Sequence, residues 1–326
     1  MAGADDFGSE VPYQGERTRI LRDRDFNCGN FSDYADLRRI DFSWAQFRNA
    51  DFGSAKLGGV AFVGAQLQGA SFNSAELQGA SLNVARLQGA SLKNARLQGA
   101  SLNQAELQGV SLDGARLQGA SLDHAQLQGA SLKNAGLDQA VLVSVRIWGA
   151  RGVNCVNARV SDPGNDAVIA RRPEGDPIPA TPDEIEKLIT EWVAEIPEER
   201  GKEDVRKILR ERLTVAKNDT AMLGDVWSHC ESESRKVSQE DFDGGHLAVL
   251  RRAVCNDRSE GADIGKSIAL NWISDNEGRR EFSARLARAL LGEDGNECAA
   301  AKDYHQATKT LLRGAAGPPL ATIAPK

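Results

Sequence analysis

Residues 90–99 read Ala-Ser-Leu-Lys-Asn-Ala-Arg-Leu-Gln-Gly, and close variants of this decapeptide precede and follow them. A large apolar residue recurs at every fifth position from Leu37 to Ile147, which makes 23 consecutive motifs. An alanine stands two residues before nearly every one of these positions. The repeating unit is therefore Ala-x-Leu/Phe-x-x, and its period of five decides the fold.

This period fits neither an α-helix nor a continuous strand. On a helix, successive leucines would lie about 140° apart and would form no apolar stripe. On one long strand, a step of five would turn alternate leucines toward water. The pattern is satisfied if each pentad is a short side followed by a corner, because Ala and Leu then share a face and the polar or glycine residues make the turn. Four right-angled corners would close a coil of about twenty residues with Leu or Phe on its axis.

A second period of ten distinguishes alternate corners. Leu-Gln-Gly-Ala recurs from 67–70 to 127–130, with Val replacing Ala at 107–110. The glycine suits a type II turn, which needs a positive φ at that residue, whereas the intervening corners carry Asn, Asp, Lys or Gln and are predicted to differ. Glutamines twenty residues apart should stack into two ladders on opposite sides of the column, formed by Gln68, Gln88, Gln108 and Gln128 and by Gln78, Gln98 and Gln118.

Charged residues twenty apart should stack in the same way. Opposite charges then face each other in Glu76 and Arg96, in Arg86 and Glu106, and in the series Lys93, Asp113 and Lys133. Facing opposite charges stabilise paired strands, so these pairs support a coil of about twenty residues. Arg96 and Arg116 would also face each other, and this like-charged pair does not fit the pattern.

The repeats resemble the pentapeptide-repeat family, whose Ala-(polar)-Leu/Phe-x-x pattern is matched from Leu37 to Ile147. The resemblance implies a right-handed quadrilateral β-helix. Just under six coils, each about 4.8 Å high, would give a column of about 28 Å. Phe31 and Leu37 are six residues apart, which predicts one inserted residue near Tyr34, and the phase is lost beyond Ile147. We therefore expect irregular first and last coils.

The fold class is a β-solenoid followed by a mostly α-helical C-terminal domain. The predicted segments are an N-terminal extension (1–25), the β-helix (26–160), a Pro- and Gly-rich linker (161–180), the helical domain (181–313) and a disordered tail (314–326). Thr181-Pro-Asp-Glu184 predicts a capped helix start, and amphipathic stretches follow at 203–216, 240–254, 263–274, 279–291 and 299–313. Because a solenoid end needs cover, the helical domain is expected to cap the C-terminal end of the column.

The sequence predicts no catalytic, cofactor-binding or metal-binding residue, and we expect no enzymatic activity and no cofactor. Residues 261–267 have one residue too few between their glycines for a phosphate loop and no apolar strand before them. No metal-ligand spacing is found among His229, Cys230, Cys255, Cys298 and His305. The five cysteines are odd in number and widely spaced, which predicts buried free thiols. The tryptophans Trp192, Trp227 and Trp272 are predicted to be core residues.

The polar, acidic N-terminus and the lack of a segment near the ~18 apolar residues of a spanning helix predict a cytoplasmic protein with no transmembrane segment. The Leu-Gln-Gly-Ala column followed by charged helices also resembles the distal part of larger proteobacterial pentapeptide-repeat proteins that begin with membrane segments. This resemblance implies that any association with a membrane would be peripheral and made through a partner.

The best-known members of the family imitate duplex DNA with an acidic β-helix and occupy type II topoisomerase. Such mimicry requires about one negative charge per 1.7 Å of column. Residues 35–150 hold ten Lys and Arg against eight Asp and Glu, a net charge of +2 in a chain whose net charge is −6. This balance disfavours the topoisomerase alternative, and the mixed signs argue against direct nucleic-acid binding. The predicted function is a non-enzymatic bacterial scaffold for a protein partner, with an exposed end open to homo-oligomerisation.

Overall fold

A computed structural model describes residues 11–13, 16–32, 36–38, 40–147, 150, 153, 181–194, 196, 202–216, 239–255, 261–273, 280–295 and 297–317. The described strands are β1 (Val11–Tyr13), β2 (Glu16–Ile20) and β3 (Ile40–Asp41). The described helices are α1 (Pro182–Trp192), α2 (Lys202–Ala216), α3 (Gln239–Cys255), α4 (Gly261–Trp272), α5 (Arg280–Leu291), a 3-10 helix (Ala299–Lys302) and α6 (Gln306–Ala316). No helix in these ranges is long and apolar enough to cross a bilayer.

The repeat region is a column of stacked coils. Parallel bridges join residues twenty apart, from Asp41 with Ala61 to Gln126 with Arg146. Each coil therefore holds four pentads and four corners, which confirms the predicted β-solenoid. The large residue of each pentad lies on the axis and is at most 4 % exposed from Leu37 to Ile147, and the alanines two positions earlier are buried as well. This axis is one continuous apolar core.

Phenylalanines fill the axis of the first coils. Phe42 stacks on Phe62 with ring centroids 5.3 Å apart, and Phe52 stacks on Phe72 at 4.7 Å. Phe62 also contacts Phe72 edge to face at 5.8 Å. From Leu77 onward the axis is leucine until Ile147. The rings thus form stacks along the column, and each ring is held by neighbours above, below and beside it.

The N-terminal end of the column starts earlier than predicted. β2 pairs in parallel with β3, β1 pairs antiparallel with β2, and Leu21 is buried in the axial core. The predicted extension 1–25 thus contributes strands to the column; these residues lack the period of five by which the sequence reveals a coil. Asn30 pairs with Asp51, 21 residues on, whereas Asp41 pairs with Ala61, 20 residues on. This shift confirms one inserted residue between Phe31 and Leu37.

All corners share one backbone conformation, so the predicted difference between alternate corners is wrong. Gly99 has a φ of 67°, and Asn94 at the preceding corner has a φ of 57°. The same left-handed conformation occurs at Val84, whose φ is 52°. Asn tolerates this region better than other non-glycine residues, and a β-branched residue tolerates it poorly. The ten-residue alternation therefore reflects what packs on the corners and not how they turn.

The strain at Val84 leads to a first prediction. The Val84→Asn variant should raise the free energy of unfolding of the column by about 1 kcal/mol, because Asn adopts a positive φ at lower cost. Val84 is 37 % exposed, so little apolar burial is lost. Chemical denaturation followed by circular dichroism measures the change. Val84→Ala is the control, since alanine keeps the unfavourable conformation; an equal gain in both variants would contradict the explanation.

The helices begin largely as predicted. Thr181 caps α1, its hydroxyl accepts a hydrogen bond from the Glu184 amide, and the Glu184 carboxylate accepts one from the Thr181 amide. This reciprocal pair confirms the predicted capping box. The predicted helix 299–313 is instead a 3-10 helix and α6, because the buried Tyr304 interrupts it and the His305 ring caps α6 by accepting from the Ala307 amide. Helix α6 continues to Ala316, past the predicted domain end at 313.

The described helices form two groups and not one bundle. In the first group, α1 packs on α2 through a small core that includes Ile189 and Leu209. Arg210 of α2 forms two hydrogen bonds to the carboxylate of Glu186 in α1, at 2.6 and 2.9 Å. These bonds hold the pKa of Glu186 below its ordinary value. The second group contains α3 to α6, and its core also includes Val141 of the column. Burial there raises the pKa of Tyr304 above its ordinary value.

Two of the cysteines are bonded, which corrects the prediction of free thiols. Cys255 and Cys298 form a disulfide across 43 residues, with Cα atoms 4.6 Å apart. The bond joins the end of α3 to the residue before the 3-10 helix, where Arg251 also lies 3.7 Å from Asp294. The sequence concealed this pair because its spacing matches no known disulfide pattern. Cys28 is free and exposed.

Other predictions fall outside the described residues. These are the irregular last coil beyond Val153, the linker 161–180, the tail from 318 to 326, Cys155, Cys230, His229 and Trp227.

Candidate functional site at the seam between the column and the helices

The corners of successive coils stack into four ridges along the column. We name each ridge by one residue: the Gln68 ridge (68, 88, 108 and 128), the Gln78 ridge (78, 98, 118 and 138), the Trp44 ridge (44, 64, 84, 104 and 124) and the Ser54 ridge (54, 74, 94, 114 and 134). The Gln68 and Gln78 ridges are ten residues apart in a coil of twenty, so they lie on opposite sides of the column. They contain the two predicted glutamine ladders.

The Gln78 ridge is covered by α4 and α3. A Cβ placed on Gly79 would lie 3.0 Å from the Ile264 side chain, and one on Gly99 would lie 2.9 Å from both Ile268 and Leu250. Nearer the N-terminal end, a Cβ on Gly59 would lie 2.5 Å from the carbonyl oxygen of Asp263. Glycine is therefore needed at these corners because helix backbone and isoleucine side chains approach them closely.

Polar contacts fix the position of these helices. The Trp272 indole N–H donates to the carbonyl oxygen of Gly99 at 3.2 Å, and the Asn271 amide donates to that of Gly79 at 3.4 Å. In α3, His246 Nδ1 donates to the carbonyl oxygen of Gln139 at 2.8 Å. The His246 and Trp272 rings are in contact, with centroids 4.4 Å apart. The seam thus combines apolar packing with hydrogen bonds to corner carbonyls.

The Gln68 ridge is covered by α2. A Cβ on Gly69 would lie 3.2 Å from Val205, and one on Gly89 would lie 3.3 Å from Val205 and 3.5 Å from Ile208. The helices therefore lie along two opposite ridges, where the sequence predicted a cap at the C-terminal end. The prediction failed because the Gln-Gly corners look polar, whereas their glycines leave room for apolar helix side chains.

Coverage by the helices buries the glutamine ladders. The side chains of Gln68, Gln78, Gln88, Gln108 and Gln128 are at most 3 % exposed. Gln88 donates to Glu106, and Gln108 donates to Gln126 at 2.9 Å. In the described structure, no donor reaches the buried Oε1 atoms of Gln68, Gln78, Gln88, Gln98, Gln108, Gln118, Gln128 and Gln139. Buried acceptors normally have donors, so each seam offers a row of acceptors to water or to a ligand.

The Trp44 and Ser54 ridges are open. Trp44 is 54 % exposed, and Ser54, Ser74 and Asn94 are exposed on the opposite side. Beside these ridges, Asn and Asp side chains join successive coils: Asp113 accepts a hydrogen bond from the Lys133 amide at 3.1 Å. These bonds fix the shape of the open surface from one coil to the next.

The charge ladders are confirmed for two pairs. Arg96 lies 3.1 Å from Glu76, and Arg86 lies 3.9 Å from Glu106. The predicted series Lys93, Asp113 and Lys133 does stack, but no ion pair links these side chains in the described structure. The Asp113 carboxylate instead accepts from the Ser131 hydroxyl and a backbone amide. Arg96 and Arg116 form a bridge between adjacent coils, as the period requires.

The segments considered as ligand sites in the sequence have structural roles. Residues 261–267 lie within α4 and pack on the column, so they form no loop that could surround a phosphate. Cys255 and Cys298 are bonded to each other, and His305 caps α6. The described residues contain no group of three or more His, Cys, Asp or Glu that could hold a metal ion. Trp272 is buried as predicted, and Trp192 is half-buried.

The hydrogen bond of Trp272 leads to a second prediction. Trp272→Phe should weaken the docking of α4 by about 1–3 kcal/mol, because the Gly99 carbonyl loses its donor in a buried place. Hydrogen exchange of the α4 amides measures the change as faster exchange. Trp192→Phe, in the other helical group, is the control and should leave α4 unchanged. Unchanged exchange in Trp272→Phe would contradict this role of the indole N–H.

Comparisons with known proteins agree with the geometry of the column. The family model of pentapeptide repeats matches in eight copies, over residues 33–62, 54–89, 85–123 and 120–151. No curated protein sequence matches the chain.

Solved structures with similarity to the chain are repeat columns. HetL, a pentapeptide repeat protein involved in heterocyst differentiation regulation from Nostoc sp. strain PCC 7120, is 27 % identical over 44 % of this chain and 87 % of its own, with a TM-score of 0.24. A trypsin-treated variant of QnrB1, a plasmid-mediated fluoroquinolone resistance protein, is 22 % identical over 45 % and 86 %, with a TM-score of 0.27. Rfr23 from the cyanobacterium Cyanothece 51142 is 25 % identical over 44 % and 88 %, with a TM-score of 0.19.

Proposed function

Because residues 33–151 are pentapeptide repeats and the chain therefore belongs among the pentapeptide-repeat proteins, we propose that it is a non-enzymatic scaffold that presents its open ridges to a protein partner. The observation that carries this proposal is the division of the column into two covered and two open ridges. The chain's own helices cover the Gln68 and Gln78 ridges, which leaves the Trp44 and Ser54 ridges for contacts with another molecule. We further propose the right-handed sense of the coil that the family resemblance implies.

The open ridges suit a protein partner. The Trp44 ridge carries an exposed tryptophan and the exposed Val84, and aromatic residues are enriched in protein interfaces. The Ser54 ridge and its neighbours carry Lys93 and Lys133 beside Asp113 and exposed polar side chains. Such a mixed, regularly spaced surface is suited to specific docking but lacks the clustered basic residues of a nucleic-acid site. Scaffolding also agrees with the absence of a catalytic arrangement in the described residues.

The test is affinity capture with the full chain as bait in a bacterial lysate, followed by quantitative mass spectrometry. We expect a partner whose recovery falls about tenfold with Trp44→Ser or with the pair Lys93→Glu and Lys133→Glu. Arg313→Glu, on the exposed part of α6, is the control and should leave recovery unchanged. If every captured protein is recovered equally by all baits, the open ridges are not the contact surface and the proposal fails.

The topoisomerase alternative has a separate test. The net charge of +2 over residues 35–150 opposes it, and two ridges of the column are already covered by helices. We therefore expect the purified chain to leave the supercoiling activity of DNA gyrase unchanged, with and without a fluoroquinolone. Inhibition or protection at stoichiometric amounts would favour this alternative over the scaffold. The cytoplasmic location, and homo-oligomerisation through an end of the column, are further parts of the proposal; light scattering measures the oligomeric state.

A further inference from the structure

A cleft of about 480 Å³ opens between the Gln78 ridge and α3. Its walls are formed by Gln78, Gln98, Gln118, Arg96 and Arg116 of the column and by Val249, Arg252 and Ala253 of α3. Sites for small molecules commonly have volumes of about 300–1,000 Å³. The cleft is thus large enough for a small organic ligand, and both parts of the protein contribute to it.

The cleft holds more positive than negative charge. Arg96 is paired with Glu76 at 3.1 Å, but its Nε atom is buried without a hydrogen-bond partner. Arg116 and Arg252 have no ion pair or side-chain hydrogen bond within the described part of the chain. Arg96 and Arg116 also lie on adjacent coils, where like charges destabilise the pairing of strands. An anion between these guanidinium groups would remove this repulsion.

The glutamines add acceptors to the same cleft. Gln78 is 3 % exposed, and its Oε1 atom is buried and accepts no hydrogen bond. The Oε1 atoms of Gln98 and Gln118, one and two coils farther along the ridge, are in the same condition. A bare oxyanion would satisfy the arginines but would leave these oxygens unpaired. A ligand that satisfies both sets of groups needs hydrogen-bond donors as well as negative charge.

We propose that this cleft binds a small organic anion, a phosphate ester or a carboxylate, that also carries hydroxyl groups. Guanidinium groups bind both kinds of oxyanion through paired hydrogen bonds, and arginine is the preferred residue for this geometry. The hydroxyl groups donate to the glutamine oxygens, and Val249 and Ala253 provide an apolar wall against the carbon skeleton. This inference goes beyond the scaffold proposal and does not depend on it, since it concerns the covered side of the column.

The ligand would also stabilise the seam. Because the column provides Arg116 and α3 provides Arg252, binding requires α3 to be docked. A ligand that binds only the docked form stabilises that form in proportion to the logarithm of its concentration. The stability of docking is therefore a readout of binding that needs no enzymatic activity.

The test measures calorimetric binding and thermal unfolding of the full chain with glucose 6-phosphate, citrate, inorganic phosphate and glucose. We expect glucose 6-phosphate or citrate to bind with a Kd below about 1 mM and to raise the unfolding midpoint. Inorganic phosphate should bind at least about tenfold more weakly than the better of the two, and glucose should not bind at all. A difference between glucose 6-phosphate and citrate identifies the phosphate or the carboxylate as the preferred group.

Matched variants locate the site. Arg252→Gln and Arg116→Gln should each weaken binding by about tenfold or more, because each removes a charged donor. Arg313→Gln removes the same charge from the exposed part of α6 and should leave binding unchanged. Arg252 is exposed on its helix, so its variant decides the result even if Arg116→Gln disturbs the column. The proposal is overturned if neither organic anion binds at about 10 mM, or if Arg252→Gln and Arg313→Gln bind equally.

Discussion

Replacing Phe62 by alanine is expected to lower the free energy of unfolding of the column by about 3–5 kcal/mol. Phe62 is fully buried, and its ring contacts Phe42 at 5.3 Å, Phe52 at 5.6 Å and Phe72 at 5.8 Å. Alanine would remove these contacts and leave a cavity on the axis, where short strands and hydrogen-bonded corners prevent the coils from closing around it. Guanidinium unfolding followed by far-ultraviolet circular dichroism measures the loss.

The column itself offers the control for this variant. Leu82 occupies the position one coil beyond Phe62 and is also fully buried, so the same site in a coil accepts leucine. Phe62→Leu should therefore cost clearly less than Phe62→Ala, about 1–2 kcal/mol. Equal losses in both variants would show that the ring contacts, and not the filled volume, hold these coils together.

Removing the disulfide is expected to have the second largest effect. The pair Cys255→Ser and Cys298→Ser should lower the free energy of unfolding of the α3–α6 group by about 2–4 kcal/mol, since the bond closes a loop of 43 residues and restricts the unfolded chain. Denaturation followed by tryptophan fluorescence measures this loss, because Trp272 lies in that group. The wild-type protein in excess reductant should unfold at the same midpoint as the double variant.

Cys28→Ser is the control for this experiment, because Cys28 is exposed and free at the other end of the column. It should leave the unfolding midpoint of the helices unchanged. Peptide mapping under non-reducing conditions provides a direct check, in which the peptides of Cys255 and Cys298 should be recovered as a linked pair. Recovery of these two peptides only as separate thiols from unreduced protein would contradict the assignment.

The column could be predicted from the sequence because its interactions repeat locally. Burial of an axial residue such as Leu97 depends on identical neighbours one coil away, so the period of five contains nearly all of the required information. The capped start of α1 is equally local, since Thr181 and Glu184 are three residues apart. The inserted residue before Leu37 was visible for the same reason, as a break in phase.

The seam could not be predicted, because it joins residues that are far apart in sequence. Ile264 packs on Gly79, and nothing in either segment identifies the other. The one available signal was the restriction of Gln-Gly to alternate corners, which was attributed to turn geometry although every corner has a positive φ. The cleft left a weaker trace: the facing of Arg96 and Arg116 was recognised as a misfit, but its meaning depends on Arg252, which only folding brings close.

The match between helix α4 and its ridge has a consequence for the growth of such proteins. Ile264 and Ile268 are four residues apart, about 6 Å along a helix, and they meet Gly79 and Gly99, which are one coil or about 4.8 Å apart. The two rulers differ by about 1 Å per step, so a straight helix stays in phase with the corners for only about two or three coils. Here α3 takes over at Gly99 and continues to Gly119. A column lengthened by duplication of whole coils would keep its axis intact, but it would need additional helices, and not longer ones, to stay covered.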